Sequence, residues 1–388
     1  MEKTINECFF QIQNGANIKQ GDVEGGFPIT RIETTANDKF NRDRMGYAGI
    51  TDISKYEAYV LEDGDLLMSH INSVQYLGRT VLYVKQPDEI IIHGMNLLRL
   101  KARRNIINPA YARYCFYGHT FRCQIGNITK KSVNQASFAV KDLKQIKIEV
   151  PSLDVQNKVV VILDRVQKII DMRNNELASL DDLIKARFVE MFGSIHESTK
   201  YPYIAVKDLT DITSGGTPSR DKTEYWDNGT IPWVKTTELQ NNVLIDVDEH
   251  ITEAGLAGSS AKLVPVGTIL VAMYGQGKTR GMTAYLGVEA STNQACACIL
   301  PSDKVDSMFM WKYFELSYDK LRSLAQGAGQ PNLNGNMIKN FQVLVPPIEL
   351  QKEYVDFVHQ INKSKVAVQK ALEQTQTLFD SLMQKYFG

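Results

Sequence analysis

Two stretches of the chain, residues 146–193 and 341–388, carry apolar side chains that return about every 3.5 residues. In the first they are Val159, Leu163, Val166, Ile170, Leu177, Leu180 and Ile184; in the second, Tyr354, Val358, Ile361, Val368, Leu372 and Phe379. Such spacing predicts a long one-sided helix in each. A short apolar strand and a proline precede each one. Pro151 and Pro346 suit a helix start, Asp154 and Glu349 fall in the favourable first turn, and Gly193 and Gly388 supply the stop. A helix from about 154 to 191 would run about 57 Å at 1.5 Å per residue. That is too long for one domain's core, so it needs a partner along its length. The two stretches align without a gap, matching Pro151 to Pro346, Gln156 to Gln351 and Phe192 to Phe387. The reading is an antiparallel coiled coil between the two copies; the alternative is two helices, each packed on its own domain.

The segments before the helices echo each other more faintly. "GGFPITRIET" matches "GTIPWVKTTE", with Pro28 opposite Pro232 and Arg31 opposite Lys235. "EDGDLLMSHINSVQYLGRTVLYV" matches "VPVGTILVAMYGQGKTRGMTAYLGV", with Gly64 opposite Gly267. The chain therefore reads as a pseudo-twofold repeat of mixed α/β (α+β) class. It comprises a globular domain over 1–150, a helix over 151–193, a second globular domain over 194–345 and a second helix over 346–388.

A length of 388 residues leaves room for two to three domains with proper cores. No apolar run approaches a membrane span, and "MEKTINECFF" lacks the features of a signal peptide, so the expected location is the cytoplasm. The 44 basic and 44 acidic residues cancel. A small basic excess in 1–150 and a small acidic one in 194–345 mean that any anion is bound by local patches. Five scattered cysteines argue against a disulfide framework. Cys296 and Cys298 alternate and are expected on one face of a strand. Cys115, His119 and Cys123 would line one helix face, but no fourth zinc ligand accompanies them, so no metal site is assigned.

"GQGKT" resembles the end of a phosphate-binding loop. Its first glycine should stand where Ala272 is, and the residues after Gly281 read as a strand, not a helix. The matching stretch of the first domain, "HINSVQYLG", has no Gly-Lys-Thr. The position reads as a variable hairpin tip on a shared scaffold. The six histidines are scattered, and no catalytic set emerges.

The run "ITSGGTPSRDKTEYWDNGTIPWVKTTEL" (212–239) and the run "GQPNLNGNMIKNFQVLVPPIELQ" (329–351), which leads into a helix, resemble the target recognition domains of type I restriction–modification specificity subunits. The resemblance spans the chain, although "NGANIKQGDVEGGFPITRIET" in the first domain lacks Gly-Gly-Thr-Pro-Ser. It implies a non-catalytic subunit that reads a split DNA target, one domain per half-site, with the paired helices as spacer. It also implies methyltransferase subunits that use S-adenosylmethionine and nuclease subunits that use ATP and Mg2+, with no cofactor on this chain. The alternatives are a methylation-only or related type II system, a P-loop enzyme and a coiled-coil protein adaptor.

Base reading needs side chains such as Arg, Lys, Gln or Asn, and phosphates need cations and hydroxyls. The candidates in the second domain are Thr217, Ser219, Arg220, Lys235, Tyr274, Gln276, Lys278 and Arg280. Those in the first are Arg31, Arg42, Arg44, His70, Asn72, Gln75, Arg79, Lys130 and Lys131. Trp226 and Trp233 stand in apolar surroundings and are expected to support loops rather than stack on bases.

Overall fold

The computed structural model describes residues 1–21, 25–133, 135–275, 277–326 and 331–388. The chain divides into two compact units. The first gathers Met1–Asn174 with Lys370–Gly388, and the second is Asn175–Gln369. Each unit thus takes part of both long helices, Leu153–Phe192 and Ile348–Phe387. No helix among the described residues is long and apolar enough to cross a membrane.

In the first unit an antiparallel sheet runs Phe9–Asn14, Leu97–Ala102, Leu66–Ser69, Thr80–Leu82. In the second the order is Ile212–Ser214, Cys296–Ile299, Ile269–Ala272, Thr283–Leu286, with Asn242–Leu244 added in parallel at the edge. Central strands such as "LLMS" and "ILVA" are buried throughout because both faces are covered. Ile269, Val271, Ala297 and Ile299 pack on the helices, while Leu270, Ala272, Cys296 and Cys298 face a layer of loops and short strands. The two cysteines therefore share a face, as their alternation predicts.

Behind each sheet lie two short helices. They are Pro109–Tyr117 and His119–Ile128 in the first unit, and Ser307–Leu316 and Tyr318–Ser323 in the second. Gly118 breaks the first pair with extended backbone, so Cys115 does not share one continuous helix with His119 and Cys123. A Cβ at Gly118 would collide with Phe387, which is why glycine stands there.

A buried glutamine joins each long helix to its domain. Gln156 accepts from Asn108 N at 2.8 Å and donates to Pro151 O at 2.8 Å and Ile106 O at 2.9 Å. Gln351 accepts from Asp306 N at 2.8 Å and donates to Pro346 O at 2.7 Å. Asn108 and Asp306 are themselves the N-caps of the equivalent short helices. The identity of these glutamines thus reflects one repeated joint.

Inside each unit the two long helices run antiparallel. In the second, Phe188 packs on Tyr354 at 5.5 Å, and Arg187–Glu353 (2.8 Å) and Asp181–Lys365 (2.5 Å) are ion pairs. In the first, Val159, Val160 and Leu163 share a core with Phe387, Phe379, Leu382 and Met383. Val159, Leu163, Val166, Ile170, Ile184, Tyr354 and Val358 are buried, whereas Leu177, Leu180, Ile361, Val368, Leu372 and Phe379 are half-buried. The heptad reading passed over Phe188, Phe192 and Phe387, three buried aromatics at the helix ends.

Candidate nucleic-acid interface

Strand direction gathers the polar loops of the second unit at one end of its sheet. The Gly-Gly-Thr-Pro-Ser loop leaves Ile212–Ser214, the tip loop joins Ile269–Ala272 to Thr283–Leu286, and residues 293–295 lead into Cys296–Ile299. Gly216 N donates to Thr292 O at 2.9 Å, and Met273 N donates to Ala295 O at 2.9 Å. A side chain at Gly215 would collide with the Thr292 carbonyl, and one at Gly216 with Ser260. The paired glycines therefore let the loop lie flat on the sheet end. Thr217, exposed beside them, donates to Gln294.

Arg220 and Lys235 come together, but around a carboxylate. Arg220 contacts Glu249 at 2.6 Å, and Lys235 contacts Glu249 at 2.9 Å and Asp248 at 3.6 Å. Burial raises the Glu249 pKa, yet the bonds from Lys235 and Arg220 outweigh it and the net shift is downward. Arg220 also lies over Trp226 at 3.6 Å and Trp233 at 5.0 Å. The indoles donate to Ser219 O (3.0 Å) and Gly216 O (2.9 Å), so both tryptophans brace the loop, as expected. Ser219 is exposed.

On the tip, Tyr274 and Lys278 are exposed, while Arg280 turns back to the Pro331 carbonyl. Gln276 lies outside the described residues. The strand Thr283–Leu286 comes directly after, so Gly277–Thr279 form a turn and not the entry to a phosphate-binding helix.

The first unit repeats this layout. Ala16 N donates to His93 O at 2.7 Å, as Gly216 does to Thr292, and Gly15, like Gly215, leaves no space for a Cβ. Its first loop thus docks in the same way without Gly-Gly-Thr-Pro-Ser. Beside the tip loop over residues 70–79, Ile71–Asn72, Ala136–Ser137 and Lys130–Lys131 form a small sheet. Lys130–Lys131 and Ile71–Asn72 flank the same strand, which places the two lysines on the sheet that carries the start of the tip loop. Lys130, Lys131 and Gln75 are exposed. Arg79 sits over the Tyr76 ring at 4.6 Å and pairs with Asp38 at 3.5 Å. A cleft of about 480 Å³ lies here, lined by Thr35, Asn37, Ser69, Asn72, Tyr76 and Arg79.

The other four candidates of the first unit are placed differently. His70 is buried against Phe138, and burial lowers its pKa, so it supports the loop from beneath. Arg42 stands at the opposite end of the sheet, held by Glu89 at 2.7 and 2.9 Å and by Val84 O at 2.8 Å. Arg44, in the same turn, is exposed. Arg31 adjoins the loop end but is engaged with Gln20 Oε1 (3.0 Å) and Gly21 O (2.6 Å). Sequence reasoning missed Gln294, Tyr318, Arg122 and Arg322, which touch these loops from distant segments.

Two sheet domains, each with a polar hairpin tip and each built onto parts of two long helices, define a duplicated recognition-domain protein. The type I restriction modification DNA specificity domain matches residues 2–182 and again 198–375. The type I restriction enzyme MjaX specificity subunit of Methanocaldococcus jannaschii, itself a provisional assignment, is 26% identical over 97% of this chain and 91% of its own length. The EcoR124I/EcoR124II specificity subunit of Escherichia coli is 24% identical over 56% of each chain. The crystal structure of a type I restriction–modification S subunit from M. genitalium superposes with a TM-score of 0.60 at 13% identity, covering 100% of this chain and 96% of that one. This chain belongs to the specificity subunits of type I restriction–modification systems.

Proposed function

We propose that the chain reads a two-part DNA target, one half per recognition domain, and has no catalytic activity of its own. The observation that carries this reading is the repeated gathering of polar loops at one sheet end in each unit. Base edges would be read from the tips by side chains such as Lys278, Gln75 and Asn72, and phosphates by Thr217, Ser219, Lys130 and Lys131. The chemistry would come from partners. Methyltransferase subunits would bring S-adenosylmethionine, and nuclease subunits ATP and Mg2+. An exposed apolar run on the first long helix, Val155, Val161, Ile162, Ile169 and Met172, supports docking of the methyltransferase subunits there.

Replacing residues 1–150 with a related domain tests the reading. The complex should then methylate a motif changed in one half only; a change in both halves, or in neither, refutes it. The long helices would act as the spacer. Seven residues inserted after both Asn174 and Gln369 add about 10 Å to each helix, which corresponds to about three base pairs. A lengthened spacer or lost binding is expected, with the half-site bases unchanged wherever binding survives.

A further inference from the structure

The two tip loops share a support that lies outside them. In the second unit Arg322 donates to Arg280 O at 2.6 Å and to Gly277 O at 3.0 Å, and Tyr318 Oη donates to Lys278 O at 2.7 Å. Three loop carbonyls are thus held by one short helix, Tyr318–Ser323, while the side chains of Tyr274 and Lys278 stay exposed. Gly281 has φ +84°, and a Cβ there would stand 3.0 Å from Arg322 Cγ, so the loop returns against the arginine stem.

The first unit has the same device. Arg122, on His119–Ile128, donates to Leu77 O. Gly78 has φ +72°, and a Cβ there would stand 3.1 Å from Arg122 Nη1. The hairpins close alike: Gly78 N donates to Ser69 O at 2.8 Å, and Gly281 N to Ala272 O at 2.9 Å. Each arginine directly follows a fully buried residue, Phe121 or Leu321, that anchors its helix in the core. The loop sequences share little, yet in both units an arginine of the second short helix holds the carbonyl just before the closing glycine, Leu77 O or Arg280 O.

We infer that Arg122 and Arg322 are positioning residues for DNA specificity, acting through the loops rather than on the bases. The inference rests on the DNA-reading function proposed above. A guanidinium presents several donors in a rigid plane and can hold carbonyls of different residues at once, whereas an ammonium acts as a point. A loop held in this way enters the complex already shaped, which avoids the ordering cost of binding.

The test uses the full chain assembled with its methyltransferase subunits. R322A, R322K and R122A are compared by sequencing methylated bases across a randomised target library and by amide exchange in the free chain. For R322A, exchange at residues 277–281 should rise and discrimination should fall about tenfold in one half of the motif only. R122A should do the same to the other half, through residues 74–79. R322K should recover little of the discrimination. If R322A does not fold, R322K carries the test. Faster loop exchange with both halves still read faithfully overturns the positioning role, and so does loss of both halves together from either variant. Failure of DNA reading itself shows separately, in the domain replacement, because that experiment leaves Arg322 in place.

Discussion

Arg99 in the first unit and Cys298 in the second occupy the same register position, the former opposite Leu67 and the latter opposite Leu270. Arg99 is fully buried and contacts Asp65 at 2.6 Å, with a further bond to Ala58 O at 3.1 Å. Asp65 also accepts from Glu62 N at 2.7 Å. Thr268 stands in place of Asp65 and Pro265 in place of Glu62, and there Thr268 Oγ1 donates to Pro265 O at 2.7 Å. A proline offers no N–H, so the acceptor carboxylate is exchanged for a donor hydroxyl. With the carboxylate absent, no buried cation is needed, and a cysteine fills the site. One strand geometry thus tolerates an ion pair or two neutral residues, which separates what holds the sheet from what merely fits it.

Breaking the ion pair from one side is the harshest test of that contrast. R99A leaves Asp65 buried without its cation and should cost about 3–5 kcal/mol of unfolding free energy, read by denaturant titration. The double variant D65T/R99C copies the second unit's neutral residues and should recover most of the loss. A single variant costing under about 1 kcal/mol would mean that Asp65 relaxes to solvent and that the pair is incidental.

The glutamine joints should behave alike in both units. Q156A and Q351A each leave a helix-cap N–H and one or more carbonyls without their partner, at about 1–3 kcal/mol apiece. Separate melts of the two variants measure this. A cost confined to one unit would show that the joint is structural in one copy and decorative in the other.

The repeat, the long helices and the hairpins were legible because each leaves a local periodicity or a matched glycine. The loading of the interface was not. Arg220 and Lys235 sit in polar loop sequence, yet their charges close on Glu249, reached through a separate strand. Arg42 likewise meets Glu89 far along the chain. His70 comes just after a strand and reads as loop, but its ring is covered by Phe138 from a segment much later in the sequence. Arg122 and Arg322 lie on short helices of unequal length, so no gapless alignment pairs them. Spacing shows what a residue is free to do, and tertiary contact decides which residues are already occupied.

The smallest effect expected near neutral pH sharpens the comparison most cleanly. His93 and Thr292 play the same backbone part, each accepting from its first loop, and both are buried. Burial, together with the nearby Arg99 charge as a lesser cause, pushes the His93 pKa down to about 3. An unfolded histidine titrates near 6.5. Between those values the unfolded chain binds a proton that the folded one does not, so stability is full above about pH 6.5 and falls as the pH drops. The limiting slope is about 1.4 kcal/mol per pH unit. Burial of His70 acts in the same direction within that unit. All three tryptophans, Trp226, Trp233 and Trp311, belong to the second unit, so their fluorescence reports that unit alone. Acidification from pH 6.5 to 5 should weaken amide protection in Leu97–Ala102 while leaving tryptophan emission steady. H93T, which copies the second unit, should flatten most of that pH dependence. An unchanged slope in H93T, or a tryptophan transition that comes first, would place the acid-sensitive element elsewhere than in His93.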